Sequence, residues 1–193
     1  MDWKESLDSK LWFFPRNITR NGATEFNPYQ WTSKYSSIVA SAYDLATCDG
    51  INEKGLTINT LWLSEAKFPK PSQVKDNKFY VSMSVWPQLL LDMCQNVKEA
   101  IDIMENIDVL SFEILEKNKL KATEHLSVSD TEGNSAVFEY INGELVISSN
   151  IINVLSKLKF LYTILTILFS KIKTNTGTAP IKTIPKSTVS KYS

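Results

Sequence analysis

The sequence predicts an α+β fold in which strands, two short helices and further antiparallel strands follow one another along the chain. Three observations carry this prediction. The chain has 193 residues, which suits one domain with a substantial core. The apolar period is two near both ends of residues 1–150 and 3.6 in the middle. Strong turn signals separate the strand-like runs, and the two helical runs are neighbours, which argues against a repeating βαβ unit.

The first part of the chain is interpreted as strands joined by loops. An aromatic run at residues 11–16 ends in proline and predicts a short strand. Residues 36–44 are small and β-branched and predict a buried strand, and residues 56–63 predict another. We interpret the pair Asp49-Gly50 as the tight turn of the hairpin between these two strands.

The middle of the chain carries the helical pattern. Residues 66–79, rich in Lys and Pro, predict a surface loop. Residues 81–94 have helical spacing, and Pro87 indicates that the helix itself starts near Trp86. A second helix is predicted over residues 97–107, with Asn96 as its N-cap.

The period returns to two after the helices. Asn142-Gly143 is the strongest hairpin signal in the chain, and residues 131–134 predict another turn. The strands predicted around these turns cover residues 112–116, 123–130, 136–141 and 144–148.

The charges divide the chain into two regions. The formal net charge is zero, which argues against nucleic acid as a partner. Residues 1–150 hold all 21 acidic residues, whereas residues 151–193 hold seven lysines and no acid. We therefore predict a domain at 1–150 and an unrelated basic tail at 151–193. The tail has an apolar run at 160–172, too short for the roughly 20 residues that cross a bilayer, and then a disordered composition.

Few residues offer metal or nucleophile chemistry. Cys48 and Cys94 form no CxxC motif, and we interpret them as buried free thiols. His125, the single histidine, lies in a strand-like run and is interpreted as structural. No metal site or cofactor is predicted. The first residues show no basic and apolar signal-peptide pattern.

Three stretches resemble the choloylglycine hydrolase family, the linear amide C–N hydrolases that include penicillin V acylases and bile salt hydrolases. They are residues 1–3 with 11–16, the segment at 31–56 that contains Asp-Gly-Ile-Asn-Glu-Lys-Gly-Leu, and the meander at 125–140. The tryptophans at positions 3 and 62 are similar to the Gram-negative, penicillin-V-acylase-like branch. The resemblance implies an incomplete αββα sandwich of the N-terminal-nucleophile hydrolase type.

The resemblance also implies the chemistry. The family cleaves an amide with a processed N-terminal cysteine, while backbone and amide donors hold the oxyanion. Asp2 corresponds to its active-site aspartate. The backbone N–H of Trp62 corresponds to an oxyanion donor, and the rings of Trp3 and Trp62 would line the acyl pocket. The family's cysteine and arginine correspond to no residue of this chain, because both would precede Met1.

We therefore expect a fragment of an amide hydrolase, truncated at both ends and inactive by itself. Two alternatives stay open. One is a non-catalytic module that binds an acyl group. The other is a protein that lies on membranes through residues 157–173, although the apolar positions there surround the helix and do not form the single stripe of an interfacial helix. The partner expected for the intact parent is a small-molecule amide. That parent is expected to be periplasmic and a homo-oligomer, as far as the resemblance goes.

An out-of-frame origin of the tail predicts a specific result. The abrupt loss of acidic residues after residue 150 is what an AT-rich gene read in another frame would produce. Sequencing the locus across the start codon and codons 140–200 should reveal family-like sequence in a neighbouring frame. If no neighbouring frame encodes such sequence, the tail is genuine.

Overall fold

The computed structural model describes residues 7–111 and 123–149. Its main feature is a seven-stranded antiparallel sheet with the strand order β1-β4-β5-β6-β9-β10-β11. The elements are β1 (Lys10–Phe14), β2 (Thr19–Asn21), β3 (Gln30–Thr32), β4 (Ser37–Ala42), β5 (Ala46–Asn52), β6 (Thr57–Trp62), a 3₁₀ turn (Pro71–Gln73), β7 (Phe79–Ser82), α1 (Trp86–Met93), α2 (Val97–Ile103), β8 (Ile107–Leu110), β9 (Glu124–Ser129), β10 (Ser135–Ile141) and β11 (Glu144–Ser149).

One face of this sheet packs on α1. Val39, Gly50, Ile58 and Val128 are partners across four neighbouring strands, so their side chains share a face. A Cβ atom at Gly50 would lie 2.7 Å from Leu91 Cδ1 and 2.8 Å from Val39 Cγ1. The helix therefore approaches the sheet most closely where the sheet has no side chain.

This close approach corrects the hairpin prediction. Asp49-Gly50 is not a turn, because both residues lie inside β5. The chain turns instead at Tyr43 and Asp44, both with positive φ, and again between Asn52 and Gly55. The first turn has its positive φ values at Tyr43 and Asp44, without a glycine, and the second has its positive φ at Gly55, so the Asp-Gly signal pointed to the wrong place.

Two small sheets complete the described residues. Strands β2 and β3 form an antiparallel hairpin, and β7 pairs with β8 in parallel. Both helices lie between β7 and β8 in sequence, so the described residues contain one parallel crossover connection and no repeat of it. The first helix begins at Trp86, as Pro87 indicated, whereas Ile107 belongs to β8 rather than to the second helix. Val81 and Val109 are completely buried, and both carry the β-branch that favours such a strand pair.

Several predicted details are confirmed. Pro87 lies in the first turn of α1, and the Asn96 side chain accepts a hydrogen bond from Glu99 N at 2.9 Å. Asn142 and Gly143 have φ values of 53° and 89° and connect β10 to β11. The predicted strand at 112–116, the tail at 151–193 and the domain boundary near 150 lie outside the described residues.

A buried carboxylate joins helix α1, the small β2–β3 hairpin and the main sheet. Asp92 in α1 is completely buried. Its carboxylate accepts hydrogen bonds from Arg20 Nε (3.0 Å), Trp31 Nε1 (2.8 Å) and Gln88 Nε2 (2.7 Å). Gln88 also donates to Ser37 Oγ in β4. Because a buried charge needs such partners, this network holds β2, β3 and β4 against α1.

Gly50 tests how tightly α1 packs. We expect Gly50→Ala to lower the free energy of unfolding by about 1–3 kcal/mol, because its methyl group overpacks the contact with Leu91. Leu91→Ala alone should cost about 2–5 kcal/mol by leaving a cavity. The double variant should lose less free energy of unfolding than the sum of the two single losses. Urea denaturation of the parent, the two single variants and the double variant measures this, and additive losses would contradict the contact between Gly50 and Leu91.

Candidate active site

The candidate site lies at one end of the main sheet. Trp62, the last residue of β6, is opposite Glu124, the first residue of β9. The β4–β5 turn lies at the same end, and Tyr43 N donates there to Leu7 O at 2.7 Å. Asp44 in this turn accepts a hydrogen bond from Trp12 Nε1 at 2.8 Å. The described part of the chain therefore begins beside the end of the sheet that carries Trp62.

Glu124 is a protonatable group beside Trp62. Removal from water, together with the smaller effect of the Asp49 charge, raises the pKa of this carboxyl group to about 8. A carboxyl group with such a pKa is largely neutral at neutral pH, so it can donate a hydrogen bond as well as accept one. The sequence pattern did not single out this residue.

A row of polar side chains crosses the three central strands. Asp49, Asn59 and Ser127 are partners on β5, β6 and β9, and Asn59 Nδ2 donates to Asp49 Oδ1 at 3.1 Å. This bond orients the Asn59 amide, because a carboxylate can only accept. Within the described residues, Asn59 Oδ1 and Ser127 Oγ are buried without a hydrogen-bond partner. Such atoms mark places where water or another polar group can bind.

The two cysteines are not activated thiols. Cys48 in β5 and Cys94 after α1 are free and buried, as the sequence suggested. Removal from water raises the pKa of each thiol to about 12. A nucleophilic cysteine needs a lowered pKa and an adjacent base, and neither thiol has a lowered pKa.

The structure describes only one of the predicted site residues. Trp62 is half-buried at the sheet end, whereas Asp2 and Trp3 lie outside the described residues. His125 lies in β9 opposite Leu61, in agreement with the predicted strand. In the described ranges no group of three or more His, Cys, Asp or Glu side chains could hold a metal ion. None of the described helices is long and apolar enough to span a bilayer.

The raised pKa of Glu124 predicts how stability depends on pH. Its folded pKa of about 8 lies above the ordinary glutamate pKa of 4.5, so the folded state binds the proton more tightly than the unfolded state. The contribution of Glu124 to the free energy of unfolding is therefore fully present below about pH 4.5 and is lost as the pH rises through 8. Glu124→Gln should therefore match the parent chain at pH 5 and exceed it in melting temperature at pH 9. Exposed Glu132→Gln is the control, and equal shifts at both pH values would contradict the assignment.

Comparisons with known proteins agree with this architecture. A penicillin V acylase from Pectobacterium atrosepticum is 40% identical over 153 residues, covering 76% of this chain and 40% of the relative. The structure of penicillin V acylase from Agrobacterium tumefaciens matches with a TM-score of 0.68 and 39% identity, covering 78% of this chain and 44% of the other. A variant of conjugated bile acid hydrolase from Clostridium perfringens matches with a TM-score of 0.65 and 26% identity, covering 79% and 46%. The chain thus spans less than half the length of these relatives.

The fold is therefore α+β, an incomplete αββα sandwich of the N-terminal-nucleophile hydrolase type. The family model for linear amide C–N hydrolases of the choloylglycine hydrolase family matches residues 1–171, which extends beyond the boundary predicted near residue 150. That boundary stays a prediction. On this match and these identities, the chain belongs to the choloylglycine hydrolase family of linear amide C–N hydrolases.

Proposed function

We propose that this chain is the acyl-recognising part of a linear amide hydrolase whose attacking thiol is neither Cys48 nor Cys94. The observation that carries the proposal is the burial of both thiols, each with a pKa of about 12, in a chain whose family cleaves amides. A thiol that is almost fully protonated at neutral pH is a poor nucleophile. In this proposal the attacking thiol comes from outside the 193 residues, whose two cysteines are Cys48 and Cys94.

In this proposal the Trp62 end of the sheet receives the substrate. The backbone N–H of Trp62 would donate to the oxyanion, and its ring would line the acyl pocket together with Trp3. Asp2 would position the nucleophile. The flat indole ring suits aromatic or long acyl groups better than steroids. Penicillin V is therefore the first substrate to test, before conjugated bile acids and acyl-homoserine lactones. Relatives named penicillin V acylase support this order.

Turnover of penicillin V tests the proposal. The assay measures release of the free amine product by the longest polypeptide that the locus encodes in frame with this chain. We expect turnover by that polypeptide, unchanged in Cys48→Ser and Cys94→Ser, and none by the 193-residue chain alone. Turnover by the 193-residue chain that Cys48→Ser abolishes would overturn the proposal.

Substitution of Trp62 separates its two roles. Trp62→Phe keeps the backbone N–H but shrinks the ring, so KM for penicillin V should rise about tenfold while kcat changes little. An equal loss in kcat and kcat/KM would place the ring at the reacting atoms instead.

A second candidate function follows from the same buried thiols. If the longer polypeptide binds phenoxyacetate in a saturable way but releases no amine, the protein is a non-catalytic module that binds an acyl group. Tryptophan fluorescence reports that binding directly. An inactive remnant would show neither binding nor turnover.

A further inference from the structure

The last strand of the main sheet has an edge without the usual protection against pairing. Strand β11 pairs with β10 at six consecutive positions without a bulge. Within the described residues no strand pairs with its other side. Its sequence, Glu-Leu-Val-Ile-Ser-Ser, contains neither proline nor lysine. Proteins normally block such an edge with these residues, with a bulge or with a covering element.

Apolar side chains are exposed along this edge. Val146 is 39% exposed, and Ile141 on the neighbouring strand is 49% exposed. Glu139 is opposite Val146, and Ile141 is opposite Glu144, so all four share one face of the β10–β11 pair. The other two apolar residues of the strand, Leu145 and Ile147, pack against the core from the opposite face. An added strand would therefore find apolar contacts on both faces.

The edge is also complementary to itself. A two-fold axis normal to the sheet and midway between two copies of β11 would place each Val146 opposite its own copy in an antiparallel pair. Leu145 would then be opposite Ile147 of the second copy, and Glu144 opposite its Ser148. No like charges oppose each other directly in this register, and every central pair is apolar. A register that set one glutamate against another would cost energy.

We propose that β11 is a self-association edge through which two copies of this chain form one continuous antiparallel sheet. Six residues a side bury less than the roughly 1,200–2,000 Å² of a standard stable interface. The dimer is therefore weak and depends on protein concentration. The symmetry is of the closed, isologous type, so association stops at two copies.

Sedimentation analysis of the full 193-residue chain tests the association. We expect dimers at about 100 µM and monomers at about 1 µM, because a small interface gives a weak affinity. Val146→Lys should be monomeric at both concentrations, because two ammonium groups would then oppose each other at the axis. Leu11→Lys changes an equally exposed residue on β1, at the other edge of the sheet, and should leave the dimer intact. A monomeric parent at the higher concentration, or a dimeric Val146→Lys, overturns the proposal.

Cysteine cross-linking tests the register. Directly opposite residues in an antiparallel pair have Cα atoms about 5 Å apart, within disulfide range. Val146→Cys should therefore oxidise to a covalent dimer, while Glu144→Cys, displaced from its own copy, should not. Cys48 and Cys94 are buried and contribute to neither variant. Equal cross-linking of both variants would contradict this register, and the outcome is independent of amide turnover.

Discussion

The rest of the fold depends on the ion pair and hydrogen bonds that the buried Asp92 carboxylate makes. Burial raises the pKa of Asp92, and the neighbouring Arg20 charge opposes that shift. Burial also lowers the pKa of Arg20. Each charge is tolerated in the core only because the other is present, with Trp31 and Gln88 completing the hydrogen bonds. The backbone carbonyl of Asp92 adds a further contact, because it accepts from the N–H groups of Lys34 and Tyr35.

This network determines where the candidate site can form. Gln88 extends it to Ser37 and Thr47, at opposite ends of the β4–β5 hairpin. Asn52, at the end of β5, donates to the carbonyl groups of Leu91 and Cys94. The β4–β5 hairpin is thus hydrogen-bonded to α1 along its length, and β6 pairs with β5 beside it. Trp62 and Glu124 lie opposite each other at this end of the sheet, where β6 pairs with β9.

Local chemistry predicted some parts of this molecule and missed others. Pro87, Asn96 and the Asn142-Gly143 turn act through their own backbone or side-chain geometry, so sequence pattern alone located them. Asp49-Gly50 failed because α1 selects glycine there for space, a tertiary cause that no local pattern records. The parallel β7–β8 pair was missed for a similar reason, since its partners are about 28 residues apart. Asp92 and Glu124 owe their properties to burial, which depends on residues distant in sequence.

Site residues were the least predictable part. The resemblance to a family predicted Trp62 as a site residue, whereas only the strand register of the structure identified Glu124 as its neighbour. If acyl groups bind at the Trp62 end of the sheet, the indole N–H signal of Trp62 must respond to them. NMR can follow the five tryptophan indole N–H signals while phenoxyacetate is added. We expect a saturable shift of the Trp62 signal and no change at Trp86, which is buried in the aromatic core. An unmoved Trp62 signal, with ligand bound elsewhere, would contradict acyl binding at this end of the sheet.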